Sequence, residues 1–163
     1  MKRTSFSAMA CSVAQCLEVT GEWWTMLILR DAFLGVTRFD EIHERLGIAR
    51  NVLTQRLATL VEDGILTKVP YQEHPPRSDY RLTDKGRDLW MVLTAMREWG
   101  DRWAAPGGPP LEIVHNSCGH VTTVVPVCSE CGEPLDARAV TARPGPGAGP
   151  KSPIPARRAG SRP

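Results

Sequence analysis

Across the first hundred residues, apolar positions recur mostly at three- and four-residue spacing, the period of helices that bury one face. Residues 12–19 form a short predicted helix, and Gly21 punctuates it. Residues 22–34 form a stronger one, with Trp23, Met26, Leu27, Phe33 and Leu34 on a broad apolar stripe. Arg30 is discordant within that stripe, and Trp24, Ile28 and Leu29 lie off it, so this helix is expected to be buried on most sides. After Gly35, residues 38–46 carry Phe39, Ile42 and Leu46 at helical spacing, and Gly47 ends them. Residues 50–63 place Leu53, Leu57, Leu60 and Val61 on one face before Gly64.

The period then changes. Residues 65–71 read as a strand, residues 72–78 with Pro75-Pro76 as a loop, and residues 79–82 as a returning strand. Thr83 reads as an N-cap with Asp84 in the first turn. The last helix is expected from Asp84 to about Trp103, with Leu89, Val92, Leu93, Met96, Trp99 and Trp103 on its apolar face.

Two short helices joined by Gly47-Ile48-Ala49 and followed by a hairpin are the pattern of a winged helix-turn-helix. The second helix of such a pair projects into a major groove. Opposite Leu53 its wheel carries Asn51, Gln55 and Thr59, with Arg56 on the flank and Arg50 at the N-terminal end. Amides pair with adenine, and guanidiniums with guanine or phosphate. A polar helix face is ordinarily only solvated; the preceding turn, the hairpin and the absence of acids from Ile48 to Val61 favour DNA. The candidate DNA-binding residues are Arg50, Asn51, Thr54, Gln55, Arg56 and Thr59, with Lys68 and Arg77 from the wing. Lys68 reads equally well as a solvent-facing strand residue.

Charge does not announce this role. The chain has 163 residues and a net charge of +2, and residues 1–105 balance 14 basic against 14 acidic side chains. Local patterning and dimerisation must therefore carry affinity for an anionic polymer. Composition divides the chain into a domain over 1–105, a Pro/Gly linker over 106–110, a cysteine-bearing module over 111–136 and a tail over 137–163. The tail has six basic residues, no acids and abundant Pro, Gly and Ala, so it is expected to be disordered. No stretch is long and apolar enough for a bilayer span, and no leader pattern follows the basic start. The expected location is cytoplasmic. No phosphate-cradling loop, His-Glu-x-x-His or Gly-x-Ser-x-Gly is present, which speaks against an enzyme.

Five cysteines do not pair into a complete disulfide set. His115-Asn-Ser-Cys118-Gly and Cys128-Ser-Glu-Cys131-Gly echo each other as His/Cys-x-x-Cys-Gly, and the residues between them suit a strand. His115, Cys118, Cys128 and Cys131 form a candidate closed, structural zinc set in a ribbon-like module, with His120 the alternative to His115. A segment this short builds little core, so a metal would supply its folding energy. The bland alternative is a reduced remnant that holds no metal.

Several motifs together resemble one family. They are Cys11, Gly21-Glu22-Trp23-Trp24-Thr25-Met26-Leu27-Ile28-Leu29-Arg30, Arg38-Phe39-Asp40-Glu41-Ile42 and Gly47-Ile48. Downstream come Leu53-Thr54-Gln55-Arg56-Leu57, Leu60-Val61-Glu62-Asp63-Gly64-Ile65, Tyr80-Arg81-Leu82-Thr83-Asp84-Lys85-Gly86 and Trp99-Gly100. Over about residues 11–103 the chain resembles HxlR-type transcriptional regulators, relatives of the MarR group. The resemblance implies a mainly α winged helix-turn-helix with a small β-hairpin. It implies a homodimer formed through terminal helices and a pseudo-palindromic operator in double-stranded DNA. Longer members resemble the Cys-Gly module, and some members sense thiol-reactive compounds through a cysteine placed like Cys11, so a small-molecule or oxidant effector fits. Against that, Cys11 and Cys16 also read as packed thiols of the first helix. Ala49 departs from the Ser that many relatives carry there, which removes a hydroxyl cap. Trp99 and Trp103 share one face of the last helix and suit a dimer contact. The alternative to a DNA-reading protein is a metal-ribbon module that binds other proteins.

Overall fold

A computed structural model of the chain describes residues 5–148. Its elements are α1 (Ser12–Thr20), α2 (Trp23–Phe33), α3 (Phe39–Leu46), α4 (Arg50–Glu62), β1 (Leu66–Gln72), β2 (Arg77–Leu82), α5 (Asp84–Asp88), α6 (Trp90–Trp103), β3 (Ile113–Val114) and β4 (Val121–Thr122). They fall into two compact units: Glu22–Val124, and the described residues up to Gly21 with those from Val125 onward. The basic positions Lys151, Arg157, Arg158 and Arg162 of the expected disordered tail lie outside the described residues.

The core of the larger unit comprises Ile28 and Leu29 of α2, Ile42 of α3, Ile48 of the turn, Leu53, Leu57 and Leu60 of α4, and Ile65 and Leu66 at the start of the wing. The i, i+4, i+7 spacing of the α4 leucines puts all three on one face, as the pattern predicts. Gly47 ends α3 in the left-handed region at φ 62°, where a Cβ would be strained, and this gives the tight turn between α3 and α4. β1 and β2 pair antiparallel from Leu66 opposite Leu82 to Gln72 opposite Arg77, with an irregularity at Pro70. The second strand thus begins at Arg77, two residues earlier than alternation suggests.

Two expectations change. Most of the α2 stripe does not face the core: Trp23 is 91 % exposed, and Leu27 and Leu34 are exposed too, while of the stripe only Met26 is buried, beside Thr25, Ile28 and Leu29. Both faces of α2 carry apolar residues at helical spacing, so periodicity alone cannot choose the inner one. Asp31, at 0 % exposure, accepts from Arg30 Nε at 2.9 Å and from Arg45 Nε at 3.3 Å, joining α2 to α3. The expected single last helix is broken at Leu89. Thr83 caps α5 as predicted, accepting from Gly86 N at 3.0 Å, and its hydroxyl donates to Gly64 O at 2.7 Å. Gly86 sits directly against Ile65 O. That first turn is fastened to the α4–β1 corner, and the chain tightens at Leu89, whose N–H donates to Gly86 O, before α6 begins. On α6 only Thr94 is buried, while Met96, Trp99 and Trp103 are exposed.

After α6, the short β3–β4 hairpin is pinned to that helix at both ends. Arg97 Nη1 donates to Leu111 O at 3.2 Å, and Val124 N donates to Glu98 Oε1 at 2.6 Å. In the smaller unit, Glu18 of α1 accepts from Phe6 N at 2.8 Å, and Gln15 Nε2 donates to Met9 O at 2.9 Å, folding the preceding segment back on the helix. Val13 and Leu17 of α1 are exposed. Among the described residues no helix is long and apolar enough to cross a membrane.

Candidate nucleic-acid interface

With Leu53, Leu57 and Leu60 turned inward, α4 exposes Arg50, Asn51, Thr54, Gln55 and Ala58, while Thr59 is half-buried. No acid interrupts this face. Ala49 is the N-cap and supplies no side-chain bond, so the first amides of α4 have no hydroxyl cap competing for them. Thr54 Oγ1 donates back to Arg50 O at 2.8 Å. Asn51 and Gln55 are the exposed amide side chains of the face and can offer paired donor and acceptor groups to a base edge.

Arg56 does not belong to this face. Its side chain is 17 % exposed and lies 3.4 Å from Glu22 Oε2, so it joins α4 to the start of α2. A helical wheel shows that Arg56 is on the flank, but not that Glu22 waits beside it.

Between α3, the start of α4 and the wing lies an open cavity of about 690 Å³. Arg38, Arg50, Lys68 and Arg77 line it together with Asp40, Glu41 and Glu44. Arg50 is held by Asp40 at 2.9 Å and packs over the Phe39 ring at 4.9 Å. Arg38 packs over the Tyr71 ring at the same distance, 4.9 Å. Lys68 and Arg77 are exposed on the paired wing strands. The structure therefore brings Arg50, Lys68 and Arg77 to one concavity beside the exposed face of α4. It adds Arg38 and the tyrosines Tyr71 and Tyr80, which sequence reading did not single out as contacts. The signal for Arg38 was its place at the N-cap of α3, one residue before Phe39. Asp79 anchors the far side of the wing: the hydrogen bond from Arg81 at 2.8 Å holds its carboxyl below the usual carboxylate range.

The proposed metal ligands lie in two turns that share a form. In the larger unit Gly119 N donates to His115 O at 2.8 Å with Gly119 at φ 72°. In the smaller unit Gly132 N donates to Cys128 O at 2.9 Å with Gly132 at φ 74°. His115 Nδ1 lies 3.3 Å from Cys118 Sγ, a pairing that His120 does not make among the described residues. Backbone N–H groups of Cys131 and Glu130 hold the Cys128 thiol below its ordinary range. Among the described residues no three His, Cys, Asp or Glu side chains gather closely enough to hold an ion. The strand expected between the turns, over Val121–Val127, is only Val121–Thr122, with an isolated bridge from Val127 to Pro134. Cys11 is half-buried at the N-cap of α1 and makes no capping bond.

Comparison with known proteins agrees with this geometry. The HxlR-like helix-turn-helix family model matches residues 19–107. An uncharacterised HTH-type transcriptional regulator of Mycobacterium tuberculosis is 47 % identical over 137 residues, covering 83 % of this chain and 87 % of its own length. The crystal structure of a candidate transcription factor, PA1607, superposes with a TM-score of 0.76 at 41 % identity over 86 % of this chain and 99 % of its own. The reduced form of the redox regulator HypR gives a TM-score of 0.54 at 32 % identity, covering 56 % of this chain and 92 % of that one.

Proposed function

The chain belongs to the HxlR-like helix-turn-helix family and is a transcriptional regulator, and from that premise we propose that it binds a pseudo-palindromic operator in double-stranded DNA as a homodimer. The observation that carries this reading is the acid-free exposed face of α4, with Asn51 and Gln55, beside a concavity holding Arg38, Arg50, Lys68 and Arg77. The amides read base edges, while the cations and the α4 N-terminus hold phosphates. Arg50 leaves Asp40 for a phosphate on binding, because the pair is solvent-exposed and weak. The dimer is supported by the α6 stripe Val92, Met96, Trp99 and Trp103, spaced four, three and four residues apart and exposed along its length. A protein working on chromosomal DNA belongs in the cytoplasm of a cell without a nucleus.

The test is a salt-controlled shift assay on operators recovered by genome-wide footprinting. Gln55→Ala is expected to lose discrimination at one operator position, by about 1–3 kcal/mol. Arg77→Ala is expected to weaken all sequences alike and to reduce the salt slope by about one. Unchanged affinity in both variants would remove the proposed surface.

The reading has two further parts. His115, Cys118, Cys128 and Cys131 supply a structural zinc; the support is the three-thiol, one-imidazole donor set and the matching turn in each half. An effector, small molecule or oxidant, controls binding. Cys11 as the responsive thiol is favoured by the likeness to the redox regulator HypR and by its half-buried, unbridged place at the start of α1.

A further inference from the structure

Between α2, α6 and the segment Pro110–Ile113 lies a second cavity, of about 490 Å³. Its walls are α2 residues, the buried Met26 with the half-buried Phe33 and the exposed Leu34, facing Trp90, Leu93 and Met96 of α6. The size and the mostly apolar walls are those of a small-molecule site. The two methionines make the walls adaptable to a ring. Val92, Trp99 and Trp103 do not line it, so apart from Met96 it is separate from the proposed dimer stripe.

The polar groups of the cavity select the ligand. Arg97 lines it, and its Nε is buried without a hydrogen-bond partner, while Nη2 lies 3.5 Å from Glu98 Oε1. A buried donor left unpaired is uncommon and costly, so Nε invites an acceptor. The charge in the wall is already paired. Arg97 is held by Asp101 at 3.0 Å and Glu98 at 3.5 Å. Arg30 also lines the cavity, but it shares the buried Asp31 with Arg45, and Glu112 adds a carboxylate to the wall. An arriving anion would meet Glu112 and two guanidiniums already holding carboxylates and gain little, whereas a neutral oxygen meets a donor without opposing charge.

We propose that this cavity is the effector site and that it takes an uncharged molecule with an apolar, ring-sized body and one carbonyl-type oxygen directed at Arg97. The proposal rests on the effector-controlled reading above and names its site. The connection to DNA is mechanical. α2 forms one wall and is tied by Asp31 to Arg45 of α3, the first helix of the helix-turn-helix. α6 forms the other wall and carries the exposed stripe. A ligand between them changes how α3 and α4 are held relative to a second protomer, which is the spacing a pseudo-palindrome reads.

The chain contains five methionines, of which Met26 and Met96 line the cavity, while Met9 and Met91, the others among the described residues, do not. We would label the full chain with carbon-13 at the methionine methyls, assign signals with single Met→Leu variants, and titrate three probes. The probes are 2-acetylnaphthalene, 2-ethylnaphthalene, which lacks the acceptor, and 2-naphthoate, which bears a charge. The expected result is saturable movement of the Met26 and Met96 methyls only, with the ketone binding about tenfold more tightly than either of the others. Equal movement of the exposed Met91 would mark surface adsorption and overturn the site. No movement of Met26 and Met96, or naphthoate binding as tightly as the ketone, would overturn the site or its chemistry, respectively. The signals report occupancy without DNA, so such failures leave the operator reading to its own shift assay.

Discussion

Gln55 and Arg56 are adjacent on α4, and their surroundings assign them opposite work. Gln55 is exposed on the face that can enter a groove, whereas Arg56 is largely covered and paired with Glu22 at 3.4 Å. Arg56→Ala is therefore expected to cost folding stability, about 1–2 kcal/mol for a partly buried ion pair, without altering base preference. Urea unfolding and selection from a randomised operator library measure the two effects separately. A changed base preference with unchanged stability would return Arg56 to the interface. Glu22→Ala is expected to show the same loss, and the double variant little more, because both remove one interaction. The buried Asp31 follows the same logic, since its fully covered carboxylate is paired with Arg30 and Arg45.

At the scale of elements, the wing and α5 meet at a contact that leaves no space for a side chain. A Cβ on Gly86 would run into Ile65 O and press on Leu82 at 3.1 Å. Gly86→Ala is expected to destabilise the fold by about 1–3 kcal/mol through overpacking against backbone that cannot step aside. Thermal unfolding checks the loss, and an unchanged midpoint would mean that α5 can slide off the corner. These elements differ in how far their sequences announce them. The leucines of α4, the Gly47 turn and the Thr83 cap are local chemistry and could be read directly. The inner face of α2 could not, because both faces carry apolar residues and only packing against distant chain decides between them. The break at Leu89 likewise depends on where Gly86 and Thr83 are fastened, which is tertiary. The same division holds at the site: Asn51 and Gln55 follow from the wheel, whereas the loss of Arg56 to Glu22 and the gain of Arg38 beside Tyr71 depend on distant chain.

At the scale of the whole molecule, a near-neutral chain must double its few phosphate contacts to hold DNA, and α6 offers the surface for it. Trp99 and Trp103 are 65 % and 70 % exposed, more aromatic surface than a lone domain leaves in water. Trp99→Ala with Trp103→Ala is expected to shift sedimentation from dimer to monomer and to reduce the salt slope of operator binding by about half. A dimer that persists in this variant would move the interface elsewhere, with the exposed Val13 and Leu17 of α1 the next surface to test. The proposed zinc makes a separate demand, because the two His/Cys-x-x-Cys-Gly turns have little core to hold them: Cys118 and Cys131 are both exposed. Metal binding would then supply the folding energy of residues 111–136, and elemental analysis of reduced protein is expected to find about one zinc per chain. Cys131→Ser should abolish that zinc and broaden or lose the amide signals of those residues, while those of α4 stay in place, because the core leucines there owe nothing to the metal. Operator affinity that persists after zinc is lost would confine the metal to the ribbon. Affinity that falls with it would implicate the coupling already built into the chain, where Arg97 and Glu98 of α6 hold both ends of the His115–Cys118 hairpin.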